Sequence, residues 1–202
     1  MGRHSLKPQR REDLIAACIR TIHEEGLEGA SLARIAKRAG LTAGIVAHYF
    51  GDKAELMDAA MRSIAFAMWA RQSRLLAAAG TPMRRLEAVI EANLGGEEFR
   101  PEVTSVWLAF WARVNHSPRL ARIQRANAAR LESNLRHALR PLVPPGVTGP
   151  EAEIARIALG LLALIDGAWL HAALGSGGLS PAETRAMALR YAQAELARLE
   201  TR

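Results

Sequence analysis

The sequence has a single cysteine, Cys18, among its 202 residues. No disulfide can therefore form within the chain, which excludes a disulfide-stabilised secreted domain and fits the reducing cytoplasm. Cys18 falls on the apolar side of the first helical pattern, so we interpret it as core packing, with a reactive thiol as the alternative. The N-terminus also lacks the apolar stretch of a signal peptide, and a cytoplasmic location is expected.

The alternating apolar pattern of β-strands is missing as well, and only 5% of the residues are aromatic. Apolar residues instead recur at three- and four-residue spacing, which predicts an all-α fold of about nine helices. Glycine and proline separate them, for example Gly95, Gly96 and Pro101. Helix one covers about residues 10–25, helices two and three fill 31–49, helices four to eight cover about 52–78, 82–94, 102–115, 118–139 and 151–174, and Ser180 opens the ninth.

No apolar run is long and uninterrupted. Residues 157–174 come nearest, but Asp166 and His171 interrupt them, which favours a buried helix and no membrane partner. The sequence also shows no metal-ligand cluster, no phosphate-binding loop and no histidine–acid pair at useful spacing. We therefore expect no enzyme activity, no metal and no cofactor.

The net charge of +7 suits a polyanionic partner without proving one. Only the segment before Glu12 is purely basic, and it ends in Arg10 and Arg11. These two arginines form a candidate basic arm that contacts DNA.

Residues 31–53, SLARIAKRAGLTAGIVAHYFGDK, carry the most informative pattern of the chain. Ser31 is a good N-cap for a first helix, Gly40 supplies the residue that ends it, and Thr42 caps a second helix. Two helices joined by so tight a turn predict a helix-turn-helix, whose second helix enters the major groove of DNA.

The outward residues of this second helix are the candidates for reading DNA. Small residues at its start allow close approach to the groove floor, although an alanine methyl can contact thymine and cannot donate to guanine. Shape and backbone contacts therefore contribute to specificity. The predicted DNA-binding residues are Ser31, Thr42, Ala43, Gly44, Ala47, His48, Tyr49, Lys53, Arg10 and Arg11, with Thr42, His48, Tyr49 and Lys53 as phosphate partners.

The stretch LARIAKRAGLTAGIVAHYFGDKAEL resembles the N-terminal domain of TetR-family transcriptional repressors. Thr42, Gly44, His48, Tyr49 and Phe50 carry the resemblance, together with the lysine that follows them. It implies a DNA-binding domain over residues 1–53 and a helical ligand-binding and dimerisation domain over 54–202. It also implies a homodimer that binds a palindromic double-stranded operator.

Aromatic residues are few, yet they cluster at helical spacing in the C-terminal part. Trp107 and Trp111 share a helix face, and Asp166 lies three residues before Trp169 in an apolar helix. Such a set can form a cage that holds a quaternary ammonium group by cation–π attraction, and ordinary core packing is the alternative. The candidate ligand-binding residues are Trp69, Trp107, Phe110, Trp111, Asp166 and Trp169.

The segments VWLAFWA (106–112) and ALIDGAWLHAAL (163–174) resemble one branch of the same family, the choline-responsive repressors of glycine betaine synthesis. This resemblance implies that choline, or a similar quaternary ammonium compound, is the effector. The alternative is a TetR-type repressor that senses another organic cation, as an efflux regulator does.

Overall fold

A computed structural model of the protein describes residues 6–175 and 180–201. Within these ranges it contains nine α-helices and no β-strand, which confirms the predicted fold class. Most of the predicted glycine-rich link at 175–178 lies outside the described residues. The helices are α1 (Leu6–Gly29), α2 (Leu32–Arg38), α3 (Ala43–Phe50), α4 (Lys53–Ala78), α5 (Pro82–Leu94), α6 (Pro101–Trp111), α7 (Pro118–Leu139), α8 (Pro150–Leu174) and α9 (Pro181–Glu200).

Side-chain caps confirm three of the predicted helix starts. The Ser31 hydroxyl and the Asp52 carboxylate each accept a hydrogen bond from the backbone amide three residues later, at 3.3 and 2.8 Å. At the start of α9, Ser180 and Glu183 form both bonds of a capping box. These caps satisfy amides that have no partner within the first helical turn.

Gly26 breaks the first helix as predicted, because its φ of 70° and ψ of 174° are not helical, and a short second helical stretch carries α1 on to Gly29. One predicted helix end differs from the structure. α6 ends at Trp111 and not near residue 115, and a 3-10 turn over Val114–His116 follows it. Residues such as asparagine and serine just before a proline favour turns over helix, which explains the early end of α6.

The described chain divides into two compact units. The first contains residues up to 66 and residues 101–123, which include α1, α2, α3, the first half of α4 and α6. α1 packs against α2 and α6, and α2 packs against α3. The helix-turn-helix and α6 therefore share one core, whose fully buried residues include Leu14, Ile35, Val46, Leu56 and Phe110.

Cys18 is completely buried in this core. Burial raises the pKa of its thiol to about 12, with the nearby Lys53 ammonium acting weakly in the opposite direction. The thiol therefore stays protonated at neutral pH, and a protonated thiol is a poor nucleophile. The interpretation of Cys18 as core packing is confirmed.

The second unit contains residues 67–100 and the chain from 124 onwards. Here α5 packs against α8 and α9, and α8 packs against α9. The α8–α9 contact is close at Gly160, because a Cβ at that position would overlap the Tyr191 hydroxyl. The fully buried residues of this unit include Leu86, Ile90, Leu135, Leu139, Ile157 and Leu161.

Helix α8 is buried on one face only, which corrects the expectation of a buried helix. By length and composition it could span a membrane, but only 28% of its most apolar window is buried. Its inner face packs within the second unit. On the opposite side, five exposed residues recur every three or four positions and so form a single stripe, which we call the α8 outer face. They are Leu159, Ala163, Asp166, Leu170 and Leu174.

Candidate functional site

The start of α3 is exposed and carries only small side chains. Val46 and Phe50 are buried on its inner side, and a Cβ added to Gly44 would meet no atom within 4 Å. The helix can therefore approach a flat surface such as the floor of a DNA groove. The four predicted outward residues, Ala43, Gly44, Ala47 and His48, are all exposed.

Two hydroxyl side chains, those of Ser31 and Thr42, occupy the N-cap positions of α2 and α3 and have different roles. Ser31 is exposed and its hydroxyl caps α2. Thr42 occupies the N-cap position of α3, but its side chain makes no capping hydrogen bond, which corrects the expected cap. The exposed Thr42 hydroxyl lies beside the outward amides of the α3 start, an arrangement suited to a phosphate oxygen.

Acidic residues of α1 neutralise two of the three cations of α2. Arg34 pairs with Glu25, and Arg38 pairs with Glu24 through both of its terminal nitrogens. The Arg38 guanidinium lowers the pKa of Glu24. These pairs connect α1 to α2 and leave both arginines less able to attract a phosphate.

Lys37 is the third cation of α2 and was not among the predicted site residues. It is exposed, and it makes no ion pair with any residue that the structure describes. Sequence spacing alone does not distinguish Lys37 from Arg34 and Arg38, because the acids that neutralise these arginines lie nine and fourteen positions away in α1.

The two arginines of the predicted basic arm lie on α1, and both are exposed. The Arg11 guanidinium lies over the Phe50 ring, 4.9 Å from its centroid. This cation–π contact joins the start of α1 to the end of α3 and holds Arg11 near the recognition helix. Phe50 is buried, as predicted.

The aromatic rings at the end of α3 contact each other. His48 is exposed and Tyr49 is half-buried. Their centroids lie 5.6 Å apart in an edge-to-face arrangement. The Tyr49 ring therefore supports the exposed His48 ring.

Lys53 has a structural partner that the sequence did not predict. Its Nζ donates a 2.6 Å hydrogen bond to the Leu27 carbonyl, just beyond the α1 kink. The ammonium thereby satisfies a carbonyl near the end of α1, where positive charge is favourable. An ammonium has three donors, so this bond leaves others for a phosphate.

We expect Lys53→Met to reduce both stability and DNA affinity. Loss of the bond to the Leu27 carbonyl should lower the free energy of unfolding by about 1.5–3 kcal/mol. Loss of a phosphate contact should weaken binding to all DNA sequences and reduce the salt slope by about one charge. Urea unfolding and DNA titrations at several salt concentrations measure these two effects.

Lys37→Met is the matched control, because Lys37 is exposed and makes no comparable bond. It should leave the unfolding free energy unchanged and affect only the salt slope. A Lys53→Met protein as stable as the parent would show that the Leu27 bond contributes nothing.

Three of the candidate ligand-binding residues lie together on α6 in the first unit. The Trp107 ring meets the Phe110 ring edge-to-face at 5.2 Å and lies 6.1 Å from the Trp111 ring. Trp107 and Phe110 are buried, whereas Trp111 is only half-buried. Trp111 therefore offers the accessible ring surface of this cluster.

Two further tryptophans belong to the second unit. The Trp169 indole is buried, donates a 2.8 Å hydrogen bond to the Asn93 carbonyl and contacts Phe99 edge-to-face at 5.4 Å. Trp69 of α4 donates to the Asn127 side chain at 3.2 Å, and Arg130 lies over its ring at 5.0 Å. One face of the Trp69 ring is thus already occupied by a cation.

Asp166 lies in the middle of the α8 outer face. Its carboxylate makes no ion pair within the described residues. Arg156, on the same helix, pairs with Glu153 and Glu195. Although the side chain is solvent-exposed, the apolar surroundings partly desolvate the carboxyl and raise its pKa. Asp166 therefore differs from the inward-facing Trp169, and the two do not form a common wall within this unit.

Two family models match separate parts of the chain. Residues 14–60 match the family described as bacterial regulatory proteins, tetR family. Residues 82–197 match the family described as BetI-type transcriptional repressor, C-terminal. The HTH-type transcriptional regulator BetI of Stenotrophomonas maltophilia is 43% identical over 197 residues, covering 97% of each chain.

Solved structures show the same fold. A transcriptional regulator from Rhodococcus sp. Rha1 superposes with a TM-score of 0.78 at 32% identity, over 93% of this chain and 96% of that one. A transcriptional regulator from Saccharomonospora viridis, solved in complex with choline, also reaches 0.78, at 19% identity over 92% and 96%. The chain belongs to the TetR family and is a BetI-type transcriptional repressor, not an enzyme.

Proposed function

We propose that this protein represses the genes that convert choline to glycine betaine, with choline as its effector. The match of residues 82–197 to BetI-type repressors is the observation that carries this proposal. Relatives named BetI align along nearly the whole chain, and a protein of the same fold was solved with choline bound. The site of action is the cytoplasm, where the operator DNA lies.

In this proposal residues 1–53 are the DNA-binding domain, and α3 enters the major groove. The exposed, small residues at its start support close approach to the base edges. Thr42, His48, Tyr49 and Lys53 contact phosphates, and Lys37 adds a further cation. The remaining proposed contacts are Ser31, Ala43, Gly44, Ala47, Arg10 and Arg11.

We assign the α8 outer face to a second copy of the chain. Leu159, Leu170 and Leu174 are 63%, 40% and 59% exposed, and they extend over about 22 Å of helix. An exposed apolar surface of this kind is typical of an interaction site. A two-fold dimer presents two α3 helices, which fits a palindromic operator with half-sites about one helical turn apart.

The proposed effector residues are aromatic rings and one carboxylate, groups that attract a quaternary ammonium ion. The first unit offers the accessible ring of Trp111, and the second unit offers the exposed carboxylate of Asp166. Trp107 and Phe110 support the Trp111 ring. Trp69 and Trp169 complete the proposed set within residues 54–202.

The response to choline requires that it bind two states of the repressor with different affinity. In the first unit α6, which carries Trp107 and Trp111, packs against α1 of the DNA-binding domain. Nδ1 of His23 on α1 and Oγ of Ser105 on α6 lie 2.9 Å apart and share a hydrogen bond. A ligand that moves α6 or α4 therefore changes the positions of the recognition helices and weakens operator binding.

The first test is a titration of the purified protein while tryptophan fluorescence is recorded. Choline should quench the emission saturably, whereas glycine betaine, which carries a carboxylate, should act far more weakly. Trp111→Ala should bind operator DNA normally and lose about tenfold or more in choline affinity. Gel-shift or anisotropy titrations of the operator, with and without choline, provide the functional readout.

Tetraphenylphosphonium separates this proposal from its alternative. A response to this bulky cation without a response to choline would identify a sensor of other organic cations, as in efflux regulation. Unchanged choline affinity in Trp111→Ala would remove Trp111 from the effector site.

A further inference from the structure

Side chains from three other helices hold the C-terminal end of α5 within the second unit. The last four carbonyls of a helix have no partner inside it, and a buried end must satisfy them otherwise. Here three of the four accept hydrogen bonds from side chains. Arg71 of α4 donates to the carbonyls of Glu91 (3.1 Å) and Gly95, Trp169 of α8 to Asn93 (2.8 Å), and Arg185 of α9 to Leu94 (3.3 Å).

One carboxylate joins the two arginines of this cluster. Each oxygen of Glu91 accepts one guanidinium, from Arg71 at 2.7 Å and from Arg185 at 2.7 Å. All three side chains are half-buried, so solvent screens the pairs less than at a fully exposed site. The surplus positive charge also faces the negative end of the α5 dipole.

The Gly95–Gly96 pair makes room for this arrangement. A Cβ at Gly95 would lie 2.8 Å from the Glu91 carbonyl oxygen, and one at Gly96 would lie 2.8 Å from the central carbon of the Arg71 guanidinium. Gly96 also has a φ of 70°, which disfavours other residues. We call Arg71, Glu91, Arg185 and the two glycines the α5 clamp.

We propose that the α5 clamp positions the indole of Trp169. The clamp fixes the backbone on both sides of the Asn93 carbonyl, which is the acceptor of the indole N–H. The planar guanidinium of Arg71 donates hydrogen bonds to two carbonyls and one carboxylate at the same time. The ammonium group of lysine cannot reproduce this geometry. Arg71, Glu91 and Arg185 are thus positioning residues, and their effect on ligand binding rests on the proposed function.

A variant that retains Trp169 as its only tryptophan tests the positioning directly. In the background Trp69→Phe, Trp107→Phe and Trp111→Phe, we expect Arg71→Ala to shift the Trp169 emission to longer wavelength and to increase acrylamide quenching. Arg71→Lys should restore the emission only in part. Gly96→Ala, which displaces the guanidinium, should reproduce the shift even if Arg71→Ala fails to fold, and circular dichroism monitors folding.

The second experiment uses the protein with all four tryptophans and measures choline binding. Arg71→Ala should weaken choline binding about tenfold. Arg84→Ala is the matched control, because Arg84 is an exposed arginine of the same unit whose one ion pair among the described residues is with Glu87 at the start of α5. It should change neither emission nor choline affinity.

Unchanged Trp169 emission in folded Arg71→Ala and Gly96→Ala proteins would overturn the proposal, whatever the effector is. A shifted emission with unchanged choline affinity would overturn the connection to ligand binding. If the parent protein does not bind choline at all, the proposed function fails separately, and the emission of Trp169 still decides whether the clamp positions it.

Discussion

Leu159→Glu is expected to convert the proposed dimer into monomers. Burying a leucine contributes about 2 kcal/mol, and a two-fold interface loses this contribution twice. The loss of about 4 kcal/mol corresponds to a roughly thousandfold weaker dimer. The introduced carboxylates would also have to be desolvated against an apolar surface, which adds to the effect. Sedimentation equilibrium measures the dissociation constant.

The same variant should lose specific operator binding, because a monomer presents one recognition helix to a two-half-site operator. Its helical content should remain that of the parent, since the Leu159 side chain is 63% exposed in the single chain. Ala129→Glu on α7 is the control, because it adds the same charge at an exposed position of the same unit. A Leu159→Glu protein that stays dimeric and binds the operator would show that the second copy docks elsewhere.

Asp166→Asn is expected to reduce choline affinity roughly a hundredfold while leaving operator binding without ligand unchanged. The substitution preserves shape and removes the charge, and a close contact between opposite charges near a protein surface is worth up to about 4 kcal/mol. Isothermal titration of both proteins with choline measures the difference. Glu200→Gln, which removes an exposed carboxylate from α9, is the control.

The pH dependence gives an independent check on Asp166. Choline carries a permanent charge, so only the protein titrates. The carboxyl must be ionised to attract the ligand, and its pKa is raised by desolvation. Choline affinity of the parent should therefore fall as the pH decreases through this raised pKa, and Asp166→Asn should show no such decrease.

Asp166 lies on the α8 outer face, which we assign to the second copy, and it is also a proposed effector contact. The same variant distinguishes these two assignments. If Asp166→Asn changes the dimer dissociation constant and leaves choline affinity intact, the residue belongs to the subunit contact and not to the effector site.

Local signals were sufficient for most of the fold. The caps at Ser31, Asp52 and Ser180 depend on side chains and amides within three residues of each other, so the sequence predicts them well. The exposed start of α3 follows in the same way from the spacing of its apolar residues. The break in α1 at Gly26 is also a local signal, since glycine readily adopts the positive φ found there.

Contacts between distant parts of the chain could not be predicted in this way. The bond from Lys53 to the Leu27 carbonyl spans 26 positions, and that from Trp169 to the Asn93 carbonyl spans 76. Spacing along one helix shows which residues share a face and not what that face meets. For this reason the sequence grouped Asp166 with Trp169, although one lies on the outer face of α8 and the other is buried.

The buried Cys18 has a practical consequence for experiments on this protein. Its thiol is inaccessible and stays protonated at neutral pH, so maleimide and iodoacetamide reagents should not modify it in the folded state. A cysteine introduced at an exposed position, for example by Ala47→Cys on α3, would then be the single site of labelling. Spin labels placed there on both subunits of the proposed dimer would report the separation of the two recognition helices without removal of the native Cys18.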